Sequence, residues 1–279
     1  MKKLLILCVI LYACASTQAD AESPPADENN TVYVKMDYMS LINSTPRKYF
    51  ELELGIWKRI HEERIRQGVT TAWYLYSVVP GNNTVPDLPY DFITVSVYDE
   101  YDMVFDEMAT EAIRIAYPGI DLEELYVKND EARAYVRSDL WKMVDVVSPY
   151  TDSKPVSEYI SVNFFDSRNH SGEHMELETG FWAGNHEERV RRGNLNSEAV
   201  FLLVNPEGTE RNYNYATIDY YDNLTQVRQP VDVALAKTAH PDLAEEEIQD
   251  FFDRTPGARS VFKSELWRLV DYIDSVEEE

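Results

Sequence analysis

Two histidines occupy the same setting. His61 lies in ELELGIWKRIHEERIRQG, which begins at Glu51, and His186 lies in ELETGFWAGNHEERVRRG, which begins at Glu176. At about 100° per residue, a helix places Glu53, Trp57 and His61 on one stripe, and Glu178, Trp182 and His186 on its counterpart. An imidazole beside a cavity can move a proton near neutral pH, and a neighbouring carboxylate can orient substrate or water. His61, His186, Glu53 and Glu178 are therefore the candidate catalytic groups. The same stripe also has a structural reading, in which each imidazole donates to a carbonyl or carboxylate on a sheet and locks the helix in place. Trp57 and Trp182, with Tyr98 and Tyr221 just ahead of the shared Asp99 and Asp222, are the candidate ligand-binding aromatics. Glu62–Arg66 and Glu187–Arg191 read as i,i+4 pairs on a solvated face.

Other chemistries lack the residues they need. HEERI has no second histidine at i+4, and His170 with His174 is a single pair without a counterpart in the first copy, so no metal centre is expected. There is no G-x-S-x-G elbow, phosphate-binding loop or dinucleotide fingerprint, and no cofactor is expected. Acidic residues outnumber basic ones 50 to 26, a formal charge of -24 that repels nucleic acid and anionic lipid.

The elements that must position these residues are also written twice. TVSVYD (Thr94 to Asp99) matches TIDYYD (Thr217 to Asp222), and SDLWKMVD (Ser138 to Asp145) matches SELWRLVD (Ser264 to Asp271). The small insertions fall between these blocks, where loops belong. Each copy reads β-α-β-β-α-β, from alternating β-branched and aromatic runs, helical-period segments, and a stop at Gly68 or before Pro118. The expected fold class is α+β: two tandem ferredoxin-like units, residues 31–147 and 159–279, joined by a linker at 148–158. Strands such as YDFITVSVYD are apolar on both faces, so the open face of each sheet should be buried against the other.

With this element order and the W-x-x-x-H of the first helix, the chain resembles the dimeric α/β-barrel superfamily, and specifically a tandem-duplicated exported bacterial member of unknown function. The resemblance implies an intrachain pseudo-dimeric barrel, a monomer, and a ligand space between the two sheets. That superfamily includes monooxygenases, isomerases and haem proteins. The G-x-x-D-G motif of its dye-decolourising peroxidases is absent, and no histidine stands out as an axial ligand, so no haem is expected.

Residues 1–15 read as an export signal: Lys2 and Lys3, an apolar run from Leu4 to Leu11, then small residues. LYAC resembles a bacterial lipobox and would make Cys14 the lipidated residue, the only membrane attachment; cleavage after Ala15 or Ala21 is the alternative. Residues 16–30 would form a flexible tether. Both cysteines, Cys8 and Cys14, lie in the leader, so the folded part has no disulfide. The resulting expectation is an exported, lipid-anchored protein that binds a small apolar or aromatic molecule between its sheets. The alternatives are a cofactor-independent monooxygenase- or isomerase-like enzyme and a structural envelope protein.

Overall fold

The computed structural model describes residues 31–274 apart from 42–43, 82, 85–87, 106–108, 149–155 and 209–210. The expected signal, tether and Cys14, and most of the linker, lie outside the described residues.

In the first half, β1 (Tyr33–Ser40) leads to α1 (Pro46–Leu52), a π-helical turn at Glu53–Trp57 and α2 (Lys58–Arg66). β2 (Ala72–Val78), β3 (Phe92–Tyr98), α3 (Ala109–Ala116), α4 (Leu122–Ala132) and β4 (Ala134–Val147) follow. The second half runs β5 (Tyr159–Asp166), α5 (Ser171–Glu176), a π-helical turn at Leu177–Trp182, α6 (Ala183–Arg191), β6 (Ser197–Asn205) and β7 (Tyr215–Tyr221). It ends with α7 (Leu224–Val227), α8 (Val233–Ala239), α9 (Glu245–Ala258) and β8 (Ser260–Ile273).

Local chemistry accounts for the boundaries. The Thr45 hydroxyl caps α1 by accepting from the Lys48 amide at 3.3 Å, and Pro46 opens the first turn. Gly68 and Gly193 leave α2 and α6 at the same positive φ of 72°, where a Cβ would be strained. Two features depart from expectation. The second helix of the first half is split into α3 and α4, and the helix ion pairs join an exposed arginine to a buried glutamate, Glu63–Arg66 and Glu188–Arg191, one residue out of the expected register.

The eight strands close into an antiparallel barrel in the order β1-β3-β2-β8-β5-β7-β6-β4. Within each half the last strand lies beside the first, the first beside the third and the third beside the second, the ferredoxin-like order. The halves join edge to edge as well as facing one another. β4 and β8, of 14 residues each, form the seams: β4 pairs first with β1 and then with β6, and β8 first with β5 and then with β2. Closure removes the exposed edges that separate plaits would leave. The helices pack outside, and the main hydrophobic core fills the lumen around Met36, Ile93, Trp141, Phe164, Ile218 and Trp267.

Candidate functional site

Glu53 and Glu178 begin or follow the start of their π-helical turns, and both are almost fully buried. Each meets an arginine directly after the last helix of its half: Glu53 pairs with Arg133 and Glu178 with Arg259. The guanidiniums lie 5.7 Å over the Trp57 and Trp182 rings. A buried carboxylate requires such a partner, and the aromatic face adds a further favourable contact for the cation. The wider turn, the glutamate, the tryptophan and the arginine thus form one brace, built twice. Sequence reasoning missed Arg133 and Arg259; their trace is the repeated Ala-Arg pair ahead of each closing strand.

The two motif histidines separate at the next layer. His61 stacks on Trp73 of β2 at 4.9 Å, its Nδ1 is without a partner, and burial holds its pKa well below the usual value. Among the described residues it makes no donation to the sheet of the kind the structural reading expects. His186 instead faces Glu198 of β6 and Asp219 of β7, with its Nδ1 3.0 Å from Arg189 Nη1. Burial lowers its pKa to about 4 although Asp219 opposes the shift. Arg189 also donates to the Tyr221 hydroxyl at 2.9 Å, which in turn donates to Asp219 at 2.9 Å. Tyr98 holds the matching place in the first half, accepting from Arg64 at 3.3 Å. Tyr98 and Tyr221 therefore lie under the helices on the outer face of the barrel, and Trp57 and Trp182 pack within the helix layers. None of the four candidate aromatics lines the lumen. Trp182, His186 and Glu178 instead border a second cleft, of about 270 Å³, against the outer sheet face.

The lumen divides into two parts. One end holds a charged layer built from alternate residues of the seam strands: Arg137 and Asp139 on β4, Lys263 and Glu265 on β8. Asp139 accepts from Arg137 at 3.1 Å and from the Tyr213 hydroxyl at 2.8 Å. Glu265 accepts from Lys263 and Tyr90, both at 2.5 Å, and from the Trp267 indole at 2.8 Å. Arg137 lies 3.8 Å over the Tyr38 ring and Lys263 4.2 Å over Phe164. Burial lowers the Lys263 pKa to about 8 against the opposing pull of Glu265, and raises those of Tyr90 and Tyr213. The pattern basic-x-acidic-x-Trp, R-S-D-L-W and K-S-E-L-W, was the available sequence signal.

Trp141 and Trp267 follow on those strands and belong to the lumen. Beyond them opens a cavity of about 350 Å³. Met36, Val95, Ile160, Phe201 and Ile218 form its apolar wall, Tyr74, Tyr76 and Tyr220 add hydroxyls, and Asp274 stands on its border. A mainly apolar concavity with a few polar groups has the composition of a small-molecule site.

No protein-family model matches the chain, and no curated protein matches it. Solved structures do. An anthrone oxidase-like protein aligns at TM-score 0.50 and 9% identity, over 88% of this chain and 94% of its own. A candidate monooxygenase from Fusobacterium nucleatum aligns at TM-score 0.50 and 7% identity, over 87% and 94%. At these identities the likeness is one of fold: the chain has the dimeric α/β-barrel fold, with both halves in one polypeptide.

Proposed function

We propose that the barrel binds a small, largely apolar aromatic molecule in its lumen. The observation that carries this reading is the 350 Å³ cavity, apolar on its walls and furnished with tyrosines that can stack on a ring or bond a substituent. Close packing would leave a purely structural barrel with few voids larger than a water molecule, so the cavity weighs against that alternative. The anthrone oxidase-like fold neighbour, by its name, is in keeping with an aromatic ligand. The test is titration with an environment-sensitive naphthalene dye. Saturable binding that Ile218→Trp or Val95→Phe abolishes supports the reading; a wild-type chain that ignores the dye overturns it.

A second reading is cofactor-independent oxidation or isomerisation of the bound molecule. It is favoured by the charged layer just past Trp141 and Trp267, where burial lowers the Lys263 pKa to about 8, and by the names of the two fold neighbours. Oxygen uptake with an anthrone-type substrate, lost in Lys263→Met while dye binding persists, would favour the enzyme over the simple binder.

The wider reading has three further parts. The halves are copies of one duplicated unit, supported by the matching strand order and the twin Glu–Arg braces. The single chain is a monomer, because its own halves close the barrel. The barrel is exported and tethered to an envelope membrane through Cys14; incorporation of labelled fatty acid, lost in Cys14→Ala, tests the tether.

A further inference from the structure

We propose that His186, Glu198 and Asp219 form a binding site for a divalent first-row transition cation, between α6 and the outer face of β6 and β7 and in the second half of the chain alone. One ligand atom from each residue lies within 4.8 Å of the others. Ligands on one ion, with bonds of about 2.1 Å, sit roughly 3.0–4.2 Å apart, so a movement of about 1 Å per side chain closes the set.

Glu198 is the second, independent observation. It is 2% exposed, and its Oε1 is buried without a hydrogen-bond partner. A buried acceptor in that state costs free energy unless something arrives to satisfy it. The frame does not require the acid. Glu198 and Asp219 stand directly opposite one another across β6 and β7, as Trp73 and Ser96 do across β2 and β3. The first half thus has an indole, stacked on His61, and a hydroxyl at the matching positions. The second half places two carboxylates beneath its histidine, and among the described residues the guanidinium of Arg189 supplies their countercharge.

Arg189 is the competitor for this place. Its Nη1 is 3.0 Å from His186 Nδ1 and 3.7 Å from Asp219 Oδ2. An entering ion takes over those atoms, while the other end of the guanidinium keeps the Tyr221 hydroxyl at 2.9 Å. One imidazole with two carboxylates suits zinc, manganese or iron(II), and is too nitrogen-rich for calcium. The outer cleft, bordered by His186 and Asp219, provides the route in, and the net charge of -24 raises the local concentration of cations.

The test is isothermal titration of the full chain, stripped with chelator, using Zn²⁺ as the probe. The expected result is one tight site per chain, weakened at least tenfold by Glu198→Gln and by Asp219→Asn and unchanged by Glu111→Gln on the exposed surface of α3. No stoichiometric site in the wild type, or equal affinity in Glu198→Gln, overturns the proposal. Should the variants misfold, crystals of the wild type soaked in Zn²⁺ decide: anomalous density between the three side chains supports the site, and density only on surface carboxylates refutes it.

Discussion

The outer faces of the two half-barrels share one frame and differ in what lies beneath the helix. In both, the helix carries a tryptophan and a histidine four residues apart, a buried glutamate reaches an arginine ahead of the closing strand, and an arginine reaches a tyrosine on the third strand. Under His61 the sheet offers Trp73, stacked on the imidazole; under His186 it offers Glu198 and Asp219. Features held in common by both halves belong to making the fold. Those held by one half alone are free of that duty, and the polar cluster under α6 is the clearest of them.

The largest effects should fall on the shared frame and be similar in the two halves. Arg133→Met and Arg259→Met each leave a buried carboxylate without its partner, at a cost of about 3–5 kcal/mol. Denaturant unfolding should show the two variants within about 1 kcal/mol of each other; a cost in one half only would break the equivalence. Trp73→Ala should follow at about 3–4 kcal/mol, since it removes a fully buried ring and the stacking surface of His61.

The pH response sharpens the contrast. Burial depresses His186 to about 4 and His174 to about 3, and lowers His61 well below its usual value. A depressed histidine stabilises the fold above its unfolded value near 6.5, and that contribution is lost as pH falls toward the folded value. His186 and His174 should therefore each add a slope of about 1.4 kcal/mol per pH unit between about pH 6.5 and 4. His186→Gln should flatten the curve by one such step. Glu198 acts in the opposite sense: burial raises its pKa, with Asp219 and Asp145 adding to the shift, so its proton is lost at a cost as pH rises. Without added metal, Glu198→Gln should raise stability at pH 8 by about 1 kcal/mol and change it little at pH 4. A destabilised Glu198→Gln at pH 8 would show that the carboxylate already has a cationic partner in the folded chain.

Much of the frame was legible in the sequence because repetition and period act locally. The helical stripe of Glu53, Trp57 and His61, the stops at Gly68 and Gly193, and the paired TVSVYD and TIDYYD strands all follow from spacing. What spacing could not show was which face of the sheet a residue takes and which distant residue meets it. Tyr98 and Tyr221 end aromatic strands and read as lumen residues, yet they sit under the helices; Tyr74, Tyr76 and Tyr220 border the lumen cavity instead, and Tyr38, Tyr90 and Tyr213 surround its charged layer. Glu53 reads as a free carboxylate because Arg133 lies 80 positions along the chain. The charged layer was missed for the same reason, since Arg137, Asp139, Lys263 and Glu265 meet only once β4 and β8 close the barrel. Closure itself depends on strand length, as each seam strand must be long enough to pair twice.

The central claim is that the lumen is a ligand site, and native mass spectrometry of the full chain, purified without added ligand, tests it most directly. The account predicts a monomer that carries a small organic adduct, or takes up the naphthalene dye at one per chain, with both lost in Ile218→Trp. A clean monomer that takes up no dye, or an adduct unaffected by Ile218→Trp, would contradict it.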